Sequence, residues 1–236
     1  SCGYRANVER GTSKLEPVSG VSDGDIAERF PTPGVRTIAE LENVDGGEVA
    51  VNQIKTMVMV LDGDVVLALL RGDHQLNLQK LQDNSGAVDI RPATAEETYA
   101  SLGAHPGSLG PVGVTGLKVF GDLALGGRTG MVTGANEDDW HLRGVSMERD
   151  VVVDSWVDIR EVQSGEACAG CGSALEIVRC IEAGHIFKLG RKYAEAMGIS
   201  VLDADGKAQI PTMGSYGIGI GRAVAAVAEN HHDDAG

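Results

Sequence analysis

The chain has 236 residues, 42% of them hydrophobic and only 4% aromatic, and a formal net charge of −14. This length and apolar content suffice for one large or two modest domains with an aliphatic core. The negative charge excludes a protein that grips a long polyphosphate by itself, but not a pocket for the end of a nucleic acid. No membrane span and no signal peptide is visible, and the four cysteines lack a secretory context. We therefore expect a cytoplasmic protein that does not bind membranes, and the missing initiator Met suggests a fragment.

The first 160 residues alternate predicted strands with short helices. Thr37 and Thr94 are each followed three residues later by Glu, which predicts two helices that start with capping boxes. The apolar runs 54–61 and 64–70 flank the turn signal Asp62-Gly63 and predict an antiparallel hairpin. Strands interspersed with short helices predict an α/β or α+β fold with a mixed sheet.

The remaining sequence predicts a second set of short elements. Residues 175–181 are a candidate strand. Residues 191–197 predict a short helix that ends at Gly198, and 203–206 predict a turn between two strands. A last helix follows the glycine-rich segment 213–222.

Cys168 and Cys171 have the spacing of a zinc-binding pair. A closed structural site needs four ligands; Cys2 could supply a third, and a residue preceding Ser1 could supply the fourth. A turn with reduced thiols is the more common explanation of a single pair, so we assign no metal. The acidic group 137–139 is interpreted as a solvated loop.

The segment 213–222 places four glycines before Arg222, and an apolar run follows. A glycine-rich strand lets a flat ligand approach the backbone, and an arginine offers a planar cationic fork to phosphate. A glycine-dense turn before an ordinary surface helix is the alternative. The segment resembles motif 3 of class II aminoacyl-tRNA synthetases, in which the arginine braces ATP.

Seven segments in order resemble bacterial-type prolyl-tRNA synthetases, and the resemblance covers essentially the whole chain. They are residues 2–9, 32–38, 70–77, 107–112, 134–138, 184–190 and 213–222. The resemblance implies a YbaK-like mixed-sheet editing domain inserted into part of a class II antiparallel-sheet catalytic core. It places core segments at 1–23, after motif 2, and at 161–236, with motif 3, and the editing insert at 24–160.

The resemblance also implies the function. The intact enzyme would join proline to tRNA(Pro) through a prolyl-adenylate with ATP and Mg²⁺, as a homodimer. The insert would hydrolyse mischarged alanyl-tRNA(Pro), gripping the tRNA acceptor end without a cofactor. Because motifs 1 and 2 are absent, we expect no aminoacylation by this chain alone.

The resemblance assigns two sets of site residues. The editing set comprises Lys55, Asp122, His141 and the loop Gly107, Ser108, Leu109 and Gly110, whose N–H groups would face the ester carbonyl. Lys55 would contact the terminal nucleotide, but a strand-edge lysine that reaches solvent is the alternative. The loop could equally be a structural turn, and His141 a surface histidine. The synthetic set comprises Arg222 for ATP, Gly217 and Gly219 beside adenine, and His185, Phe187 and Ser215 around the prolyl pocket; a structural role is the alternative for His185.

Four positions depart from the family pattern, namely Gln53, Leu123, Ser146 and Met147. They leave the specificity of the editing pocket open. No Ser/His/Asp triad or metal triad is evident in the insert, which fits a mechanism assisted by the ribose hydroxyl of the tRNA. Two other functions remain: a free-standing trans-editing deacylase and a non-catalytic tRNA-binding paralogue.

Overall fold

The computed structural model describes residues 2–16 and 26–234, so part of the predicted linker in 1–23 lies outside the described residues. The chain divides into two compact units, residues 1–177 and 178–236. Residues 161–177 belong to the first unit because they pair with its N-terminal segment. Ser13 and Cys168 form an antiparallel bridge, and the Lys14 N–H donates to the Ala167 carbonyl at 2.8 Å.

The first unit contains eight strands and four helices within its described residues. The strands are β1 (Glu28–Pro31), β2 (Ile54–Leu61), β3 (Asp64–Arg71), β4 (Ile90–Pro92), β5 (Lys118–Asp122), β6 (Met131–Gly134), β7 (Trp140–Val145) and β8 (Ser155–Val157). The helices are α1 (Ile38–Leu41), α2 (Leu78–Ser85), α3 (Ala95–Leu102) and α4 (Met147–Asp150).

A five-stranded mixed sheet in the order β4-β2-β3-β5-β8 forms the centre of this unit. β2 and β3 pair antiparallel from Ile54↔Arg71 to Leu61↔Asp64, whereas β5 runs parallel to β3 and β8 parallel to β5. The hairpin prediction is confirmed, since Asp62 and Gly63 both have positive φ, 50° and 96°, as a type I′ turn requires.

The sheet buries both of its faces, and this burial explains the continuous apolar sequence of β3. Leu67 and Leu69 pack into one cluster with Met131, while Leu70 packs into the other with Phe120. Burial of each such side chain contributes about 1.5–3 kcal/mol to folding.

A second sheet, β1-β7-β6, is antiparallel. A parallel bridge between Gln53 and Val132 connects it to the start of β2. This junction brings β2, β6 and β7 close together and sets the position of the site described below.

Both predicted capping boxes are confirmed. The Thr37 and Thr94 hydroxyls accept hydrogen bonds from the N–H groups of Glu40 and Glu97, whose carboxylates accept from the threonine N–H groups in return. Each box satisfies backbone donors that a helix start leaves unpaired.

The second unit contains a long hairpin and a final helix. Its elements are β9 (Gly184–Gly190), α5 (Lys192–Ala196), β10 (Val201–Leu202), β11 (Ala208–Gln209), β12 (Met213–Ile218) and α6 (Ile220–His231). The predicted short helix, the 203–206 turn and the final helix are all confirmed. The strand predicted at 175–181 is wrong. β9 begins only at Gly184, where β12 provides its partner, and the segment before it forms no strand among the described residues.

Apolar side chains cover much of the surface of the second unit. Ile186, Tyr216, Ile218 and Ile220 are between 68% and 78% exposed. Large exposed apolar patches mark surfaces that bind another element or partner. No helix in the described part of the chain is both long and apolar enough to cross a membrane.

Candidate active site

A cavity of about 270 Å³ lies beside the start of β2, between α1, the loop that contains Gly107 and strands β6 and β7. Four predicted site residues line it, namely Lys55, Gly107, Leu109 and His141. The other lining residues are Arg36, Thr37, Ile38, Leu41, Gln53, Ile54, Thr56, Met57, Pro106, Thr133 and Gly134. Aliphatic side chains alternate there with a few polar groups, as in sites that bind small molecules.

The loop 107–110 is held against its surroundings by contacts that only glycine permits. A Cβ on Gly110 would lie 1.8 Å from the Gly134 carbonyl oxygen, and a Cβ on Gly134 would lie 2.2 Å from the Ser108 carbonyl carbon. Gly107 has φ +110°, and its Cβ would lie 2.7 Å from the Arg36 side chain. These close approaches fix the backbone of the loop at the cavity wall.

Hydrogen bonds use every second N–H group of this loop. The Ser108 N–H donates to the His105 carbonyl at 3.2 Å, and the Gly110 N–H donates to Asn136 Oδ1 at 2.8 Å. The N–H groups of Gly107 and Leu109, both cavity residues, have no hydrogen bond within residues 2–16 and 26–234. Two cavity-lining residues of the loop therefore each keep an N–H donor without a partner among the described residues.

Ser108 and Gly110 do not line the cavity and hold the loop in place instead. Ser108 is 1% exposed, and its hydroxyl accepts a hydrogen bond from the Asp139 N–H at 3.1 Å. The Asn136 amide closes the contact by donating to the Gly110 carbonyl at 2.8 Å. The Ser108 hydroxyl is thus not placed as a nucleophile.

His141 lines the cavity, but both of its ring nitrogens are engaged. Nδ1 lies 2.6 Å from the Thr32 hydroxyl, and the ring also hydrogen-bonds to the Gly107 backbone. Burial lowers the pKa of His141 to about 4, although the Gly107 bond acts in the opposite direction. A neutral imidazole that accepts from Thr32 and donates to Gly107 satisfies both contacts, so His141 positions the loop.

Lys55 extends from β2 and lines the cavity with a half-buried side chain. Its ammonium donates to the His74 carbonyl at 2.6 Å, which leaves two N–H donors unassigned. Burial lowers the pKa of Lys55, and the nearby charge of Asp73 partly offsets this effect. Asp73 itself is paired with Arg71 through two bonds of 2.6 and 2.8 Å, so it does not pair with Lys55.

Asp122 is absent from the cavity lining. Its buried carboxylate accepts hydrogen bonds from the N–H groups of Ala124 at 2.9 Å and Ile159 at 3.0 Å, and the Arg160 guanidinium lies 4.0 Å away. Burial raises the pKa of Asp122. The carboxylate therefore joins the end of β5 to the segment after β8, away from the predicted pocket.

Sequence reasoning did not assign three polar residues of the wall. Arg36 lies near the rim with its guanidinium 2.8 Å from Asp139. Gln53 and Thr56 are wall residues whose Oε1 and Oγ1 atoms are buried without a partner among the described residues. The Gln53 amide is fixed because its Nε2 donates to the Ile38 carbonyl at 3.0 Å. The signals were present: Arg36 lies in a family-like segment, and Gln53 departs from the family pattern.

The predicted synthetic residues lie together in the second unit. The register of β9 and β12 pairs Phe187 with Ser215 and His185 with Gly217. Residues opposite each other or two apart share a face of the hairpin, so His185, Phe187 and Ser215 point to the same side. The His185 and Phe187 rings are 4.2 Å apart between centroids.

Arg222 lies in the first turn of α6 and folds back over Gly219. A Cβ at Gly219 would lie 2.9 Å from Arg222 Nε, so glycine leaves the space that this side chain takes. The guanidinium is 58% exposed and lies 3.5 Å from the Glu182 carboxylate. An exposed arginine with one distant partner keeps most of its donors available.

One group of side chains outside the cavity could hold a metal ion. Among the described residues, Cys2, Cys168 and Cys171 form the only set of three or more His, Cys, Asp or Glu residues with donor atoms close enough to share an ion. The Ser173 backbone and hydroxyl hydrogen-bond to the Cys171 thiolate and lower its pKa to about 6.

The chain resembles known proteins in both sequence and fold. Residues 32–150 match the model of the aminoacyl-tRNA editing domain. The chain is 49% identical over 238 residues to the proline--tRNA ligase of Anaeromyxobacter sp. (strain Fw109-5) and 43% identical over 237 residues to that of Nitratidesulfovibrio vulgaris (strain DP4). Both alignments cover 100% of this chain but only 41% of the relative.

A solved structure has the same fold. It is described as a candidate trans-editing enzyme for prolyl tRNA synthetase, is 24% identical, and covers 58% of this chain and 87% of its own with a TM-score of 0.50. The predicted fold class, a YbaK-like mixed α/β editing domain, is confirmed. The family model spans half of the chain and includes all residues of the cavity wall. The chain therefore belongs to the aminoacyl-tRNA editing domain family.

Proposed function

We propose that the cavity of the first unit hydrolyses the ester bond of alanyl-tRNA(Pro). The observation that carries this proposal is the meeting of one cationic side chain, Lys55, with two unused backbone donors, Gly107 N–H and Leu109 N–H, at one small cavity. Ester hydrolysis requires donors for the developing oxyanion and a grip on the leaving nucleotide. The match to the editing family supports this reaction class.

The two loop donors would act on the ester carbonyl. Water adds to the carbonyl carbon, negative charge develops on the carbonyl oxygen, and the N–H groups of Gly107 and Leu109 stabilise it. The bond from carbon to the ribose oxygen then breaks, and the ribose oxygen takes one proton of the attacking water. The other proton of that water is released to solvent, so alanine leaves as its carboxylate. Removing one such donor typically costs 10²–10³ in rate.

The protein supplies no side-chain nucleophile in this proposal. The Ser108 hydroxyl is engaged with a backbone N–H, and both His141 nitrogens are engaged with Thr32 and Gly107. Positioning of water by the ribose hydroxyl of the tRNA is compatible with this arrangement, and no cofactor is needed.

Lys55 and Arg36 would bind the phosphates of the acceptor end. Lys55 has no salt bridge among the described residues, and Arg36 is half exposed. Because the whole chain carries a charge of −14, these two local cations would contribute strongly to attracting a polyanion to this face.

In this proposal the wall would also favour a small amino acid. Ile38, Leu41 and Leu109 contribute aliphatic surface to the cavity. Proline carries more carbon than alanine, and a clash of one or two methylenes is worth about 1–3 kcal/mol of discrimination. The exact specificity would depend on Gln53, whose amide is fixed in the wall.

We further propose that the second unit is part of the catalytic core of a prolyl-tRNA synthetase. Support comes from the two relatives, which match along the full chain, and from the exposed apolar faces of β9, β12 and α6. Arg222 would hold the ATP phosphates, Gly217 and Gly219 would lie beside adenine, and His185, Phe187 and Ser215 would contact proline. ATP with Mg²⁺ would supply the energy to activate proline in the intact, cytoplasmic, dimeric enzyme.

The domain assignment from the sequence is retained as part of this proposal. Residues 1–23 and 161–236 would belong to the synthetase core, and 24–160 to the editing insert. The first compact unit extends to residue 177 because the segments on either side of the insert pair with each other at Ser13 and Cys168.

Two other functions compete with this one. A free-standing trans-editing deacylase has no need for an ATP-bracing arginine, so the 213–222 segment favours the synthetase. A non-catalytic tRNA-binding paralogue would keep the cavity but release no alanine.

A deacylation assay tests the proposal. The chain is incubated with alanyl-tRNA(Pro), and the rate of alanine release is compared among the wild type, Lys55→Ala and Lys207→Ala. Lys207 is an exposed lysine of the second unit and serves as the matched control. We expect Lys55→Ala to lose at least about tenfold in rate, the loss of roughly 1.4 kcal/mol of binding energy, and Lys207→Ala to match the wild type. Release at background level in all three proteins would support the non-catalytic paralogue.

A further inference from the structure

Three cysteine sulfurs meet in the first unit, away from the cavity. The donor atoms of Cys2, Cys168 and Cys171 all lie within 4.8 Å of one another, and the Sγ atoms of Cys2 and Cys168 are 3.8 Å apart. Cys2 is 166 residues away from Cys168 in sequence, so this contact is a product of the fold.

The spacing of the sulfurs fits tetrahedral coordination. A tetrahedral zinc ion with Zn–S bonds of about 2.3 Å holds its thiolates about 3.8 Å apart. The Cys2–Cys168 distance has this value, and Cys171 lies within reach of both. Soft thiolate ligands select Zn²⁺ over the hard cations Mg²⁺ and Ca²⁺.

A small hairpin presents Cys168 and Cys171 as a metal knuckle. Its base is held by the bond from the Gly165 N–H to the Leu175 carbonyl at 2.8 Å, and its tip by the bond from the Gly172 N–H to the Cys168 carbonyl at 2.9 Å. Gly172 has φ +74°, which closes the turn just after the second cysteine.

Gly170 leaves room beside the sulfurs. A Cβ at this position would lie 3.7 Å from the Cys2 sulfur and 4.0 Å from the Cys168 sulfur. These are ordinary contact distances, so Gly170 lies directly beside two of the three sulfurs.

We propose that Cys2, Cys168 and Cys171 bind one Zn²⁺ ion through three thiolates. A donor from outside the described residues, or a water molecule, completes the tetrahedron. The ion joins the segment 2–16 to the hairpin 165–175, which are the two flanks of the editing domain. It reinforces the bridge between Ser13 and Cys168 and closes a loop of more than 160 residues, where a cross-link removes much chain entropy.

Metal analysis tests this site. The chain is purified without chelators, saturated with Zn²⁺, freed of excess ion by gel filtration, and measured by mass spectrometry for zinc per chain. The variants are Cys168→Ser, Cys171→Ser and the double variant, and the matched control is Cys180→Ser, a free exposed cysteine outside the cluster. We expect one zinc per chain in the wild type and in Cys180→Ser, and background zinc in the double variant.

Cobalt absorption provides a second readout on the wild type, which does not depend on whether the variants fold. Co²⁺ in the site should give thiolate-to-metal charge transfer and the visible bands of a tetrahedral ion, and Zn²⁺ should displace it. A wild type that retains no zinc and gives no thiolate–cobalt band would overturn the proposal and leave a turn of reduced thiols. Zinc retained equally by the double variant would also overturn it.

Discussion

Two buried histidines should make the first unit unstable in mild acid. Burial lowers the pKa of both His141 and His74 to about 4, whereas each would titrate near 6.5 in the unfolded chain. Arg36 adds to the effect at His141; at His74, Asp73 acts in the opposite direction, and Arg71 and Arg160 act in the same direction as burial.

The direction of the pH effect on stability is set by which state of the chain, folded or unfolded, binds more protons. Between about pH 6.5 and pH 4 the unfolded chain binds protons at these positions and the folded chain does not, so the free energy of unfolding falls as the pH falls. The stability is fully present above the unfolded pKa. From about pH 7 to pH 5 each histidine should lower the free energy of unfolding by roughly 2 kcal/mol, because one pKa unit corresponds to about 1.4 kcal/mol.

Urea unfolding measured by tryptophan fluorescence can test this prediction. Both tryptophans, Trp140 and Trp156, lie in the first unit, so the signal reports on it alone. The wild type is compared with His141→Asn at about pH 7 and about pH 5, and His231→Asn, in the other unit, is the control. Between the two pH values, we expect the free energy of unfolding of His141→Asn to fall by roughly 2 kcal/mol less than that of the wild type. An equal loss in both proteins would refute a neutral, buried His141.

Three further substitutions test the loop and its surroundings. Gly110→Ala should lower the deacylation rate by more than about tenfold, because its Cβ would lie 1.8 Å from the Gly134 oxygen. The control Gly126→Ala, with no contact below 3.4 Å, should retain the wild-type rate. Equal rates for the two variants would contradict a rigid loop. Ser108→Ala should keep the deacylation rate within about threefold while losing about 1 kcal/mol of stability, and a rate near background would instead identify a nucleophile. Asp122→Asn should lower the free energy of unfolding, measured by urea titration, by about 1–3 kcal/mol and leave the KM for alanyl-tRNA(Pro) unchanged. A raised KM at unchanged stability would place Asp122 in the pocket.

Local structure could be predicted from the sequence because its causes are local. The Asp62-Gly63 hairpin turn and the capping boxes at Thr37 and Thr94 each depend on a few adjacent residues, and all three formed as predicted. The strand predicted at 175–181 failed because a strand needs a partner, and pairing is decided by residues far away in sequence.

The family resemblance as a whole, and no local pattern, pointed to the residues of the site. Lys55 and Gly107 meet at the cavity, but their meeting depends on the bridge between Gln53 and Val132, which no local pattern encodes. The sequence treats the loop residues 107–110 alike, because no local pattern shows that only Gly107 and Leu109 among them line the cavity. The sequence named Cys2 as a possible third ligand, but only the fold brings its sulfur to 3.8 Å from that of Cys168, 166 residues away.

The account is tested most directly by a single-turnover comparison of two esters on the same protein. Alanyl-tRNA(Pro) and prolyl-tRNA(Pro) are each mixed with excess chain, and the first-order release of the amino acid is followed. The expected ratio of rates is about 10–200 in favour of alanine, the range that corresponds to about 1–3 kcal/mol of steric discrimination. Identical rates for the two esters, or release no faster than in buffer, would contradict the claim that this cavity removes the smaller amino acid.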